Sequence, residues 1–132
     1  MLEKRNFYIN GSWVAPKKSS DIEVINPATE KACAVISLGS KDDINDAVLS
    51  AKEAFKTWGY STREDRIALL ETFYTLYKKR WNDITDAIIQ EMGAPRDFAS
   101  KLQTGTGASH TKSFIRYLKA VSYTHLRAHE TG

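Results

Sequence analysis

Phe7-Tyr8-Ile9-Asn10-Gly11-Ser12-Trp13, followed after a polar gap by Val24-Ile25-Asn26-Pro27-Ala28-Thr29-Glu30, sets the reading of everything after it. Each segment is a short run of aromatic and β-branched residues closed by a turn signal, Asn-Gly in one and Asn-Pro in the other. Asn10-Gly11 supplies the positive φ angles of a tight hairpin, with Phe7, Ile9 and Trp13 on its strands. Pro27 has no backbone N–H to donate, so the alternating run from Ile22 to Ile25 ends before it. A third short strand is expected over 32–37, and the whole reads as a small antiparallel meander.

Beyond the strands the chain reads as helix to about Ala120. Ser40 with Asp43 three residues later has the form of a capping box, and Ile44, Ala47, Val48, Ala51, Ala54, Phe55 and Trp58 keep the spacing of one helical face until Gly59. Ser61 or Thr62 caps a second helix, whose Glu64 and Asp65 sit at its positive end and whose Lys78, Lys79 and Arg80 sit at its negative end. Its apolar series runs Ile67, Leu70, Phe73, Tyr74, Tyr77, Trp81. Asn82 or Asp83 starts a third helix with Ile84, Ala87, Ile88 and Met92 inside, closed by Gly93-Ala94-Pro95. Pro95 then opens a fourth through Phe98, Leu102, Ala108 and Leu118. Its middle, 103–113, is rich in Gly, Thr and Ser, which are poor helix formers alone. Close packing of Gly105 and Gly107 against a neighbouring element is the expected compensation.

Composition bounds the function. A 132-residue chain with 42% hydrophobic and 27% charged residues is one ordinary soluble globular domain. Its net charge of +3 is scattered, with runs only at Lys17-Lys18 and Lys78-Lys79-Arg80, which argues against nucleic acid as a partner. No stretch approaches the roughly 18 apolar residues of a membrane span. The charged opening Met1-Leu2-Glu3-Lys4-Arg5 lacks the apolar core of a signal peptide. One cysteine, Cys33, cannot form an internal disulfide, so a cytoplasmic location is expected.

Candidate chemistry is sparse. Cys33 lies among Lys31, Ala32, Ala34 and Val35 in an expected strand, without the base or helix N-terminus that activates a thiolate. His125 and His129 are four apart, but Leu126-Arg127-Ala128 between them supplies no Glu, and a third metal ligand is missing. Gly105-Thr106-Gly107 lacks the third glycine of a dinucleotide loop, His110 standing in its place. Asp42-Asp43 and Glu64-Asp65 are explained by the helix ends they occupy.

Phe7-x-Ile9-Asn10-Gly11-x-Trp13, Ile25-Asn26-Pro27-Ala28-Thr29-Glu30, Ala54-Phe55-x-x-Trp58, Arg66-x-x-x-Leu70 and Glu91-Met92-Gly93-Ala94-Pro95, in that order over about 120 residues, together resemble the start of the aldehyde dehydrogenase superfamily. The resemblance implies an α/β parent with a Rossmann-type cofactor domain, of which residues 1–120 would be the amino-terminal part: a short β-hairpin or meander followed by about four α-helices. It implies a parent that oxidises a small aldehyde to a carboxylic acid through a cysteine thiohemiacetal and thioester, with NAD or NADP as acceptor. It also implies a homodimer or homotetramer. The family's nucleophilic cysteine, general base and cofactor-binding residues lie beyond the matched region. No catalytic or cofactor-binding residue is therefore carried over, and the chain alone is expected to bind no cofactor and to be inactive. A monovalent-cation site is implied at the backbone carbonyl near Ile25 and the carboxylate of Glu91. Residues 121–132 resemble a sequencing adaptor translated in frame, which implies an artefactual tail. A small helical adaptor protein without catalysis is the alternative, using the same amphipathic faces to bind a partner.

Overall fold

The computed structural model describes residues 1–121, so the expectations for 122–132, with His125 and His129, lie outside the described residues. Five strands come first: β1 (Leu2–Lys4), β2 (Phe7–Ile9), β3 (Ser12–Val14), β4 (Asp21–Asn26) and β5 (Lys31–Ser37). β2 and β3 form the expected hairpin, Tyr8 opposite Trp13. Asn10 at φ 52° and Gly11 at φ 77° make its turn.

The remaining strands do not continue that hairpin into one meander. They form a separate sheet in the order β1-β5-β4, with β4 antiparallel to β5 and β1 parallel to it. Leu2–Lys4 carries too little apolar periodicity to read as a strand. Parallel pairing also needs a long crossover, which local pattern does not specify. On the central strand Val35 and Ser37 are buried. The β4–β5 register shifts once: Val24 faces Ala34, but Ile25 faces Ala32. Cys33 is thus the extra residue of a β-bulge.

α1 (Lys41–Trp58) and α2 (Arg63–Lys79) begin as expected. Ser40 Oγ accepts from the Asp43 N–H at 3.3 Å while Asp43 Oδ2 accepts from the Ser40 N–H at 2.8 Å. Thr62 and Asp65 repeat the exchange at 3.1 and 3.0 Å. Gly59 ends α1, yet in a right-handed conformation at φ −57°. The connection is clasped by Arg66, which donates to Ser61 Oγ at 2.9 Å and to the Gly59 carbonyl at 3.1 Å.

α3 (Trp81–Met92) starts one residue earlier than its polar signals suggest. Trp81, expected on the face of α2, opens α3 instead. The break falls at Arg80, where φ −100° and ψ 18° leave the helical region without a glycine or proline to announce it. Gly93 closes α3 at φ 64°, the left-handed conformation that glycine adopts freely. Pro95 is the cap of the next helix and Arg96 its first residue.

α4 (Arg96–Phe98), a π-helical stretch (Ala99–Thr104) and α5 (Gly105–Ala120) run on from one another as the expected fourth helix. The π stretch is a structural addition to the sequence reading. α5 packs on α2, and α3 packs on the π stretch. A Cβ at Gly107 would collide with the Tyr77 hydroxyl, so close packing holds there. At Gly105 it does not, since the nearest atom would be the Ser100 carbonyl at 3.8 Å.

The buried apolar residues among those described are Val35, Ala99, Ala108 and Ile115. Three of the four lie where the π stretch and α5 pack on α3 and α2, and Val35 is buried apart from them on β5. The apolar side of α1 is open: Ile44 is 59% exposed, Phe55 69% and Trp58 46%.

Candidate functional site

The two residues singled out for a cation lie on elements that meet. α3 packs against β4. Ile25 stands just past the bulge on β4, and Glu91 in the last turn of α3; both are exposed. The turn that follows β4 is stiff. Asn26 Oδ1 accepts from the Ala28 N–H at 2.9 Å, and the Asn26 carbonyl accepts from Thr29 and Glu30 at 3.2 and 2.8 Å. Gly93 lies so close to this turn that a Cβ there would stand 2.9 Å from the Ala28 nitrogen. The exit of α3 and the exit of β4 are thereby pinned together. Among the described residues no three His, Cys, Asp or Glu side chains gather into a metal site, so a cation here would depend on main-chain carbonyls beside Glu91.

Cys33 sits in the same corner. Its thiol donates to the Val24 carbonyl at 3.2 Å across the bulge, with the Gln90 carbonyl 3.9 Å away. Both neighbours are acceptors, and a base to take the proton is missing from this contact shell. Such a thiol fills a bulge rather than attacking a substrate. Gly105, Thr106 and Gly107 lie inside a continuous helix with Tyr77 against Gly107, which leaves no loop to cradle a phosphate. His110 is exposed on α5.

Two polar clusters were not legible in the sequence. Asp43 is almost fully buried and does more than cap α1. Besides its bonds to Ser40, its Oδ1 accepts from the Lys17 N–H at 2.9 Å, tying the loop after the hairpin to the helix. The Ser40 hydroxyl, then the Lys17 and Ser40 N–H groups, hold its carboxyl below the usual carboxylate range against the opposing effect of burial. The Ser-x-x-Asp spacing signals the cap, but nothing local signals a partner 26 residues away.

The second cluster secures the π stretch. Thr85 and Thr104, both fully buried, share a hydroxyl contact at 2.9 Å, and Thr85 also donates to the Trp81 carbonyl at 2.9 Å. Tyr77 Oη donates to the Thr104 carbonyl at 3.0 Å, and Trp81 Nε1 donates to Ser100 Oγ at 2.9 Å. Two aromatic residues that look like core in the sequence thus serve as hydrogen-bond donors to an irregular helix.

No described helix is long and apolar enough to cross a membrane. Exposed apolar side chains line the open side of α1, and on the hairpin the exposed rings of Tyr8 and Trp13 pair at 5.3 Å.

Comparison with known proteins gives this arrangement a setting. The model of the aldehyde dehydrogenase family matches residues 13–132. A 3-succinoylsemialdehyde-pyridine dehydrogenase from a Pseudomonas species is 41% identical over 111 residues, which are 83% of this chain and 23% of that protein. The crystal structure of an aldehyde dehydrogenase from Bartonella henselae superposes with a TM-score of 0.91 and 47% identity, over 93% of this chain and 26% of that one. An aldehyde dehydrogenase from Pseudomonas syringae, solved with NAD+ and octanal, does so with a TM-score of 0.87 and 33% identity, over 90% and 24%. The chain thus spans about a quarter of the length of the proteins it matches.

Proposed function

Because this chain belongs to the aldehyde dehydrogenase family, we propose that it supplies the hairpin and outer helices of an enzyme that oxidises an aldehyde to a carboxylic acid. NAD or NADP, bound by the complete protein, supplies the chemistry of hydride acceptance. The residues of this chain form scaffold: they touch neither the aldehyde nor the reacting atoms, and Cys33 serves as the bulge residue described above. The observation that carries this reading is the apolar side of α1, spaced for burial yet open, in a chain that spans a quarter of its relatives. In this reading that side lies on a strand layer contributed by the rest of the enzyme. The parent is cytoplasmic, in keeping with a lone half-buried cysteine, and assembles as a homodimer or homotetramer.

The test is a graft in which residues 1–120 replace the matching part of the Bartonella henselae enzyme. The graft should reduce NAD or NADP in an aldehyde-dependent manner, and the purified 132-residue chain should not. A folded, assembled graft without activity, or turnover by the chain alone, would overturn the reading.

In the same enzyme we propose that the carbonyl near Ile25 and the carboxylate of Glu91 give two oxygens to a monovalent cation, with the remaining donors outside this chain. Potassium should raise the melting midpoint of the graft, and Glu91→Gln should abolish that rise. Equal potassium responses would remove the site.

A further inference from the structure

The tip of the hairpin presents a modification site. Five asparagines occur in the chain, at positions 6, 10, 26, 45 and 82, and only Asn10 precedes a glycine. Conversion of an asparagine to an acid through its own backbone begins when the N–H of the next residue reaches the side-chain Cγ, so the next residue decides the outcome. After Asn26 comes Pro27, which has no N–H. Asn45 and Asn82 lie within α1 and α3, and Asn6 precedes Phe7 on a paired strand. Gly11 has no Cβ to obstruct the approach, and even an added Cβ would meet no atom within 4 Å.

Asn10 and Gly11 are both exposed and both at positive φ, in the two-residue turn between Ile9 and Ser12. The fold adds one group: Ser50 on α1, whose Oγ donates to Asn10 Oδ1 at 3.4 Å. A donor on that oxygen draws electron density from Cγ and stabilises the charge that builds on the oxygen as the ring closes.

From these contacts we infer that Asn10-Gly11 is a site of spontaneous amide-to-acid conversion in the folded chain, assisted by Ser50. The Gly11 nitrogen bonds to Cγ of Asn10, the Cγ–Nδ2 bond breaks, and ammonia leaves with the proton from the Gly11 amide. Water then opens the resulting five-membered imide at either carbonyl, giving aspartate or isoaspartate, with no change of oxidation state. The isoaspartate product inserts a methylene into the main chain at the turn that sets the Tyr8–Trp13 register. Either product adds a negative charge to a groove already lined by Asp46 and Glu53.

The full chain and its Ser50→Ala variant, incubated in mildly alkaline buffer and separately in denaturant, test the inference. Peptide mapping and isoaspartyl methyltransferase labelling then read conversion at each asparagine. In buffer Asn10 should convert about tenfold faster than Asn45 or Asn82, for want of a Cβ on its neighbour. The Ser50→Ala variant should be severalfold slower in buffer and indistinguishable from the parent in denaturant. Conversion of Asn10 no faster than that of Asn45 and Asn82 in buffer would overturn the inference, as would equal rates for the two chains in buffer.

Discussion

Among the described residues Asp43 is the one charged side chain that is buried. Its carboxylate takes three N–H or O–H donors from Ser40 and Lys17, with Asp42 on the same turn and the Lys17–Asp46 ion pair (3.1 Å) beside it. Because these bonds hold its folded pKa below the ordinary value, its stabilisation is fully present above the usual carboxylate range. That stabilisation drains away as pH falls through the lowered folded value. Asp65, held low first by the Thr62 hydroxyl, adds in the same direction. Urea midpoints of the graft measured against pH should fall in acid, and Asp43→Asn should flatten that acid limb while lowering the plateau above it. An unchanged acid limb would show that the charge is not what holds the loop to α1. At this scale the sequence was informative about single residues and silent about pairs. It placed Cys33 in a strand and Asp43 at a cap, since both follow from neighbours in the chain. The thiol's partner across the bulge and the Lys17 link come from elements that meet only in the folded molecule.

The helices were legible for the same reason the sheet was not. A helix closes its hydrogen bonds within four residues, so spacing and caps announce it. The β1–β5 ladder pairs residues over thirty positions apart, and Leu2–Lys4 carries no pattern of its own. The π stretch was hidden because what stabilises it is Tyr77 and Thr85 reaching across from α2 and α3. Those contacts give two predictions. Gly107→Ala must push Tyr77 off the Thr104 carbonyl and should destabilise the graft by about 1–3 kcal/mol, the usual cost of overpacking. Gly105→Ala, whose Cβ would meet only the Ser100 carbonyl in ordinary contact at 3.8 Å, should stabilise by roughly 0.5–1 kcal/mol through helix propensity. Equal shifts in the two melting midpoints would deny that the positions differ. Thr85→Val takes away the partner of the buried Thr104 hydroxyl and should cost about 1–3 kcal/mol, whereas Thr104→Val leaves Thr85 its bond to the Trp81 carbonyl and should cost less, and the double variant should cost less than the sum. Strict additivity in that cycle would mean the two hydroxyls do not depend on each other.

For the whole molecule, the balance between what is covered and what is open governs behaviour in solution. Val48, Phe55 and Trp58 present an apolar strip on α1 that a soluble monomer rarely leaves bare. The isolated chain should bind an apolar-surface dye and self-associate. Replacing Val48 and Phe55 with lysine should raise the monomer fraction of the isolated chain while disabling the graft, as read by gel filtration and aldehyde-dependent NAD reduction. A graft that keeps full activity with both lysines would show that this strip is not buried in the complete enzyme.

The parallel pairing of β1 with β5 also fixes an order of events during synthesis. Leu2–Lys4 is made before its partner and has nowhere to dock until Ala34–Ile36 has emerged, by which time the hairpin between them can already have closed. β1 is then a late arrival, joined to the sheet along a single edge, and a bulky insertion just before it would burden the step at which the sheet is completed.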